Sequence, residues 1–315
     1  VSPICCVCHQ PVAADAARLG GRAYCAEHYA RVGRDRRGLW LASAAQIGGL
    51  AVFVLAAMAL FALPAFEGLS GVALLAAGLV LALVPALLWL GFFYRQDRLE
   101  PEPKSQVALV FVAGLAAASL GERVIHDLFG VSRWLAASPA VAILGGILVV
   151  GFTQEFLKYA VVRYTVYPTA EFDERVDGLI YGIAAGLGYA TWLNLDYVLA
   201  SGGVALSAGV VAIAVTALAQ ASFGGVMGYF LGRARFEGGD LYWLPAGLAL
   251  AATLNGLFSY ARAQVMSTAL TAGGRTLSPL PAFLLALGFA AAVVAVLLWL
   301  VRRANRLTLA RESRP

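Results

Sequence analysis

The chain has 315 residues, of which 61% are hydrophobic and only 13% charged, with a mean hydropathy of +0.78. That is too little polar surface to coat a water-soluble globule, so a soluble domain is excluded and the bilayer is the expected solvent. The net charge of +5 gathers beside apolar stretches, which makes it a signal of membrane topology and not of nucleic-acid binding.

The first segment, residues 1–37, is polar and carries all four cysteines ahead of any apolar run, so no cleavable signal peptide is read there. The chain starts on Val, which leaves processing or trimming open. Cys5, Cys8, Cys25 and His28 read as C-x2-C-x16-C-x2-H. Each close pair can place two donors on one ion from a single tight turn, and four N or S ligands satisfy a tetrahedral zinc. Cys6 and His9 are then spare. A disulfide or unstructured thiols are the alternatives, the disulfide disfavoured in the reducing cytoplasm. The run Gly21 to Tyr29 resembles the second half of a LIM-type or treble-clef knuckle, which implies a closed structural zinc site that senses or docks a cytoplasmic protein partner. The basic stretch Arg31 to Arg37 could equally contact anionic lipid heads.

Crossing ~30 Å of hydrocarbon takes about 20 apolar helical residues. Eight stretches qualify: Leu39–Leu63, Leu69–Tyr94, Val107–Leu128, Pro139–Val162, Gly178–Ala200, Ala205–Gly232, Leu241–Ala261 and Leu280–Val301. The runs are continuous where a barrel needs alternation, so the fold class is an all-α polytopic membrane protein. Its expected parts are a knuckle and basic linker (1–37), a helical bundle (38–303) and a basic tail (304–315).

Positive charge falls on alternate sides. Arg31, Arg34, Arg36, Arg37, Arg95, Arg98, Lys104, Arg163, Arg175, Arg233, Arg235, Arg302, Arg303, Arg306, Arg311 and Arg314 share one side, against Arg123, Arg133, Arg262 and Arg275 on the other. Short cytoplasmic loops retain such residues, so both termini are expected in the cytoplasm, with the bundle in a bacterial cytoplasmic membrane.

Three polar motifs interrupt the apolar sequence. They are the loop Asp97-Arg-Leu-Glu-Pro-Glu-Pro103, the run Gln154-Glu155-Phe-Leu-Lys158 in the fourth stretch, and Asp177-Gly-Leu-Ile-Tyr-Gly182 opening the fifth. In this order, from about residue 70 to residue 265, they resemble the PrsW family of intramembrane proteases, which belongs with the larger CPBP-like group. The resemblance implies a peptidase that activates water through a general base or a divalent metal. This chain departs from the family pattern at the positions that would supply those groups. Gln154 stands for the first glutamate of a Glu-Glu pair, and Leu193 for the glutamate before Asn194. Gln220 and Asn255 stand where the family has histidines. Amides take up no proton near neutral pH and bring no charge to a metal, and leucine offers no donor atom. No metal is therefore expected between the helices.

The remaining polar residues have plain structural readings. Glu155 and Lys158, at i and i+3, can neutralise each other in lipid. Gln154, Asn194, Gln220 and Asn255 can serve as interhelical hydrogen-bond glue. Asp196 reads as an interfacial carboxylate, displaced about 4.5 Å along the helix from the lost glutamate at 193. His126 reads as a surface partner of Asp127. Small residues at Gly178, Gly182, Gly186 and at Gly224, Gly228, Gly232 recur every fourth position and mark two core helices.

The sequence best fits a pseudoprotease, an inactive homologue that holds a transmembrane or peptide client. An active peptidase using Glu155, with polarising amides from Asn194, Gln220 and Asn255, is the alternative. In a further variant the four departures are engineered changes in an active natural protein. A transporter or channel stays open, although no repeat relates the two halves.

Overall fold

The computed structural model describes residues 3–19, 22–33, 36–97, 101–204, 206–237, 240–271 and 292–307. Residues 280–291 of the eighth apolar stretch, together with Arg34, Arg98, Arg275, Arg311 and Arg314, lie outside them.

A small module precedes the bundle. Two short antiparallel strands, β1 (Arg18–Leu19) and β2 (Arg22–Ala23), lead into α1 (Ala26–Gly33). Then come α2 (Arg36–Phe61), α3 (Gly71–Tyr94), α4 (Lys104–Arg123) and the short α5 (Val131–Trp134). α6 (Pro139–Gly145) runs through a π-helical segment, Gly146–Gly151, into α7 (Phe152–Thr165), so the three form one span. α8 (Arg175–Ala200), α9 (Leu206–Glu237) and α10 (Asp240–Thr271) complete the named elements, and residues 292–307 are helical.

Six helices among the described residues are long and apolar enough to cross a membrane, and they coincide with six of the eight expected stretches. Their outward faces carry Leu41, Val52, Leu55, Val72, Val80, Val112, Leu144 and Leu148, all exposed. In water this would be a liability; in lipid it is the solvated surface. The protein is an integral membrane protein.

The fifth stretch, α8, is the axis of the bundle. Every residue from Arg175 to Thr191 is buried, and α3, α4, α7 and α9 pack around it. A helix that meets protein on all sides need not be as apolar as one that meets lipid, which is why α8 tolerates Tyr181, Tyr189 and Asn194. Its glycines set the spacing. A Cβ on Gly182 would fall on the carbonyl oxygen of Gly224, one on Gly178 on that of Gly228, and one on Gly186 on that of Gln220. The expected stripe of small residues is thus a backbone-to-backbone seam between α8 and α9. Gly188 lies in the same way against the Phe111 carbonyl of α4.

Backbone cannot give way as a side chain can, so Gly182→Leu should destabilise the protein by about 3 kcal/mol. Gly48→Leu, into open space on α2, should leave the thermal midpoint in detergent unchanged.

Candidate functional site

The π-helical segment does the first piece of positioning. Gly151 lies against the Ala252 carbonyl and Gly256 against the backbone of Gly146 and Ile147, so α7 and α10 touch at backbone distance. This brings Asn255 of α10 beside Gln154 and Glu155 of α7. On the other side the α8–α9 seam holds Gln220 at the same depth.

The resulting cluster is closed. Glu155, Lys158, Gln154, Gln220 and Asn255 are each no more than 5% exposed. Lys158 Nζ donates to Glu155 Oε1 at 2.5 Å and to Gln220 Oε1 at 2.6 Å. Asn255 Nδ2 donates to Glu155 Oε1 at 2.7 Å and to Gln154 Oε1 at 2.9 Å. Gln220 Nε2 lies 3.4 Å from the same Gln154 oxygen. The rings of Tyr189 and Phe223 flank the ammonium, their centroids 5.3 and 5.8 Å away. Three of the four positions that depart from the family pattern therefore meet around Glu155 and Lys158.

The others do not. Asn194 is buried, but its amide donates to the Ile213 carbonyl at 3.0 Å, a tie to α9. Leu193 is half-buried, and Asp196 is exposed, as an interfacial carboxylate should be.

One participant escaped the sequence reading. Glu122, near the end of α4, accepts from Gln154 Nε2 at 3.0 Å and from the Tyr189 hydroxyl at 3.3 Å. The π-helical continuation Val124–Leu128 turns His126 back over it, with Nε2 3.4 Å from Glu122 Oε2 and Nδ1 2.9 Å from Ser132 Oγ. His126 thus pairs with Glu122 and Ser132, where the sequence suggested Asp127. A polar chain runs from this half-exposed histidine to Lys158. The available signal was an acid within the apolar stretch Val107–Leu128, which is a functional candidate wherever it occurs.

A divalent metal does not suit the cluster. Around Lys158 it would find one carboxylate, Glu155, and three neutral amides, while Glu122 and His126 are already paired with each other on the far side of Gln154. The Gln154 and Gln220 side-chain oxygens and Glu155 Oε1 already accept hydrogen bonds, and an ammonium stands beside them. Among these oxygens only Glu155 Oε2 has no hydrogen-bond partner. One free anionic oxygen next to a lysine cannot compensate the desolvation of a dication.

The other two motifs meet at the opposite end of α8. Asp97 and Glu102 are both buried there, where Glu102 accepts from the Tyr181 hydroxyl at 2.5 Å and Tyr94 donates to the Glu102 carbonyl at 2.7 Å. Burial pushes the Glu102 carboxyl up to about 7, the hydrogen bonds from Asp177 and Tyr181 pulling the other way. The folded state thus holds this proton more tightly than the unfolded chain does. That stability is present below the ordinary carboxyl value and is lost as pH rises towards 7. The thermal midpoint should fall across that window, and Glu102→Gln should flatten the profile.

In the amino-terminal module, ligand atoms of Cys5, Cys8, Cys25 and His28 all lie within 4.8 Å of one another, so the group can hold a metal ion. His28 Nδ1 sits 3.1 Å from Cys25 Sγ and 3.6 Å from Cys5 Sγ. Although burial opposes it, backbone N–H groups of Cys25, Cys8 and Val7 bring the Cys5 thiol down to about 6, which favours the thiolate a metal needs.

Comparison with known proteins follows the same lines. The family described as PrsW family intramembrane metalloprotease matches residues 102–300. Protease PrsW of Bacillus subtilis (strain 168) is 29% identical over 180 residues, 56% of this chain and 79% of that protein. The protein of the same name from Geobacillus kaustophilus is 30% identical, covering 56% and 75% of the two chains. That from Halalkalibacterium halodurans is 31% identical, covering 57% and 80%. No solved structure gives a significant match.

Proposed function

The chain belongs to the PrsW family of intramembrane metalloproteases, and on that basis we propose that it is a pseudoprotease, keeping the family's bundle without its hydrolytic chemistry. The observation that carries this reading is the Glu155–Lys158 pair, closed on itself and capped by Gln220 and Asn255. A general base must reach a water and a metal must find anionic or imidazole donors. Here the carboxylate is wholly buried and its near oxygen is held by an ammonium and an amide. The cluster acts as a neutral tie between α7, α9 and α10, and the bundle binds a transmembrane or peptide client.

The amino-terminal module is a structural zinc knuckle, with Cys5, Cys8, Cys25 and His28 as its ligands. With four protein ligands the ion has no open position and serves shape alone. The chain divides into this module and its linker (1–37), the bundle (38–303) and a basic tail (304–315), with both termini on the cytoplasmic side of a bacterial cytoplasmic membrane.

Elemental analysis of the purified protein tests both halves of the proposal. One zinc per chain that disappears in the double variant Cys5→Ser, Cys8→Ser is the expected result. A second metal that survives those changes and is lost in Glu155→Gln would place a catalytic-type ion in the bundle and contradict it.

A further inference from the structure

The sequence left the knuckle's partner open, as a separate cytoplasmic protein or the lipid surface. The structure seats it on the bundle itself. Arg22 of β2 forms an ion pair with Glu174, the arginine side chain 14% exposed and the glutamate side chain fully buried. His9, which directly follows ligand Cys8 and closes its turn with a left-handed φ of 55°, lies in electrostatic reach of Asp173. Tyr24, the buried aromatic of the module, senses Glu174 as well. The hairpin and the first ligand turn thus both face the acidic run Glu171-Phe172-Asp173-Glu174.

Glu174 is also the residue on which α8 begins. Its carboxylate accepts from the Asp177 backbone, and its own N–H donates to Asp177 Oδ2 at 2.5 Å, a reciprocal cap. Asp177 in turn hydrogen-bonds Glu102, which accepts from Tyr181. Four buried acids, Asp97, Glu102, Glu174 and Asp177, therefore crowd the start of the axial helix. Arg175 points to Glu237 instead. Arg22 brings positive charge to this crowd from outside the bundle.

Nothing in the hairpin alone can hold Arg22 there. Its ladder pairs Arg18 with Ala23 and Leu19 with Arg22, with one further bond from the Tyr24 N–H to the Ala17 carbonyl and one from the Cys6 N–H to the Ala23 carbonyl, and so short a ribbon is marginal in water without a cross-link. The four ligands bracket it, with Cys5 and Cys8 before β1 and Cys25 and His28 after β2.

We propose that the metal-loaded knuckle is a latch on the start of α8, holding Arg22 on Glu174 and so keeping the Glu174–Asp177 cap and the Glu102 contact closed. Loss of the metal releases Arg22 and loosens the first turns of the axial helix. The latch rests on the reading of the four-ligand group as a metal site.

Hydrogen exchange on the full-length protein in nanodiscs tests it, with zinc content measured in parallel. The samples are zinc-loaded protein, protein stripped by a chelator, and Arg22→Gln loaded with zinc. Exchange at residues 174–182 should rise about tenfold on stripping and equally in Arg22→Gln, which keeps its zinc. Zinc added back should restore protection to the stripped protein and leave the variant unchanged. If stripping opens residues 3–33 and leaves 174–182 as protected as before, the latch is overturned and the metal site stands. If the protein binds no zinc, both fall together, even where Arg22→Gln opens α8.

Discussion

Replacing Lys158 with methionine should lower stability by about 3–5 kcal/mol, the largest loss expected from a single substitution in the bundle. The side chains are similar in length and apolar volume, so the change is almost purely one of charge. Glu155 would be left buried, with Asn255 as its remaining hydrogen-bond donor. A buried carboxylate without a counter-charge is far costlier than the intact pair is favourable. The double variant Glu155→Gln, Lys158→Met should recover most of the loss, because it removes both charges together. Thermal unfolding in detergent measures this directly.

The second large effect lies in the amino-terminal module. Structural zinc in small knuckles contributes an apparent 10–16 kcal/mol of binding free energy, most of it expressed as folding. Among the described residues of this module the buried apolar ones are Cys5, Ala23 and Tyr24, too few to hold it without a cross-link. Cys5→Ser with Cys8→Ser should therefore make residues 1–33 sensitive to dilute protease while the bundle from α2 onward resists digestion. A module that stays resistant without its ligands would mean that docking on the acidic run carries its fold.

Much of this architecture was legible from the residues alone. The apolar runs placed the helices, because lipid demands continuous hydrophobic length and helical hydrogen bonding. The fourfold glycine spacing identified α8 and α9 as a close pair, since only a missing Cβ lets two backbones meet. The spacing of Cys5, Cys8, Cys25 and His28 foretold ligand atoms that the fold brings together. Gln154, Gln220 and Asn255 were singled out by their departures from a family pattern, and the fold gathers them around Glu155.

What the residues did not reveal depends on tertiary geometry. Glu122 lies next to Arg123 at a helix end, where charges are ordinary. Only the close packing of Gly121 against Tyr189 and Leu157 shows that it turns inward. Asn194 was grouped with the cluster by motif, yet it lies two turns beyond Leu187 on α8 and ties to Ile213 instead. The docking of the knuckle on Glu174 was equally hidden, because two segments some 150 residues apart meet without any local pattern to announce it.

The central claim is that this member of the family does not cleave. The most direct measurement is proteolysis of a fluorescently tagged transmembrane peptide co-reconstituted in liposomes, comparing the protein with its Glu155→Gln variant. Equal background rates in the two, with and without added zinc, are what the buried, lysine-neutralised carboxylate predicts. Cleavage that disappears in Glu155→Gln would contradict it and would make Glu155 the water-activating group.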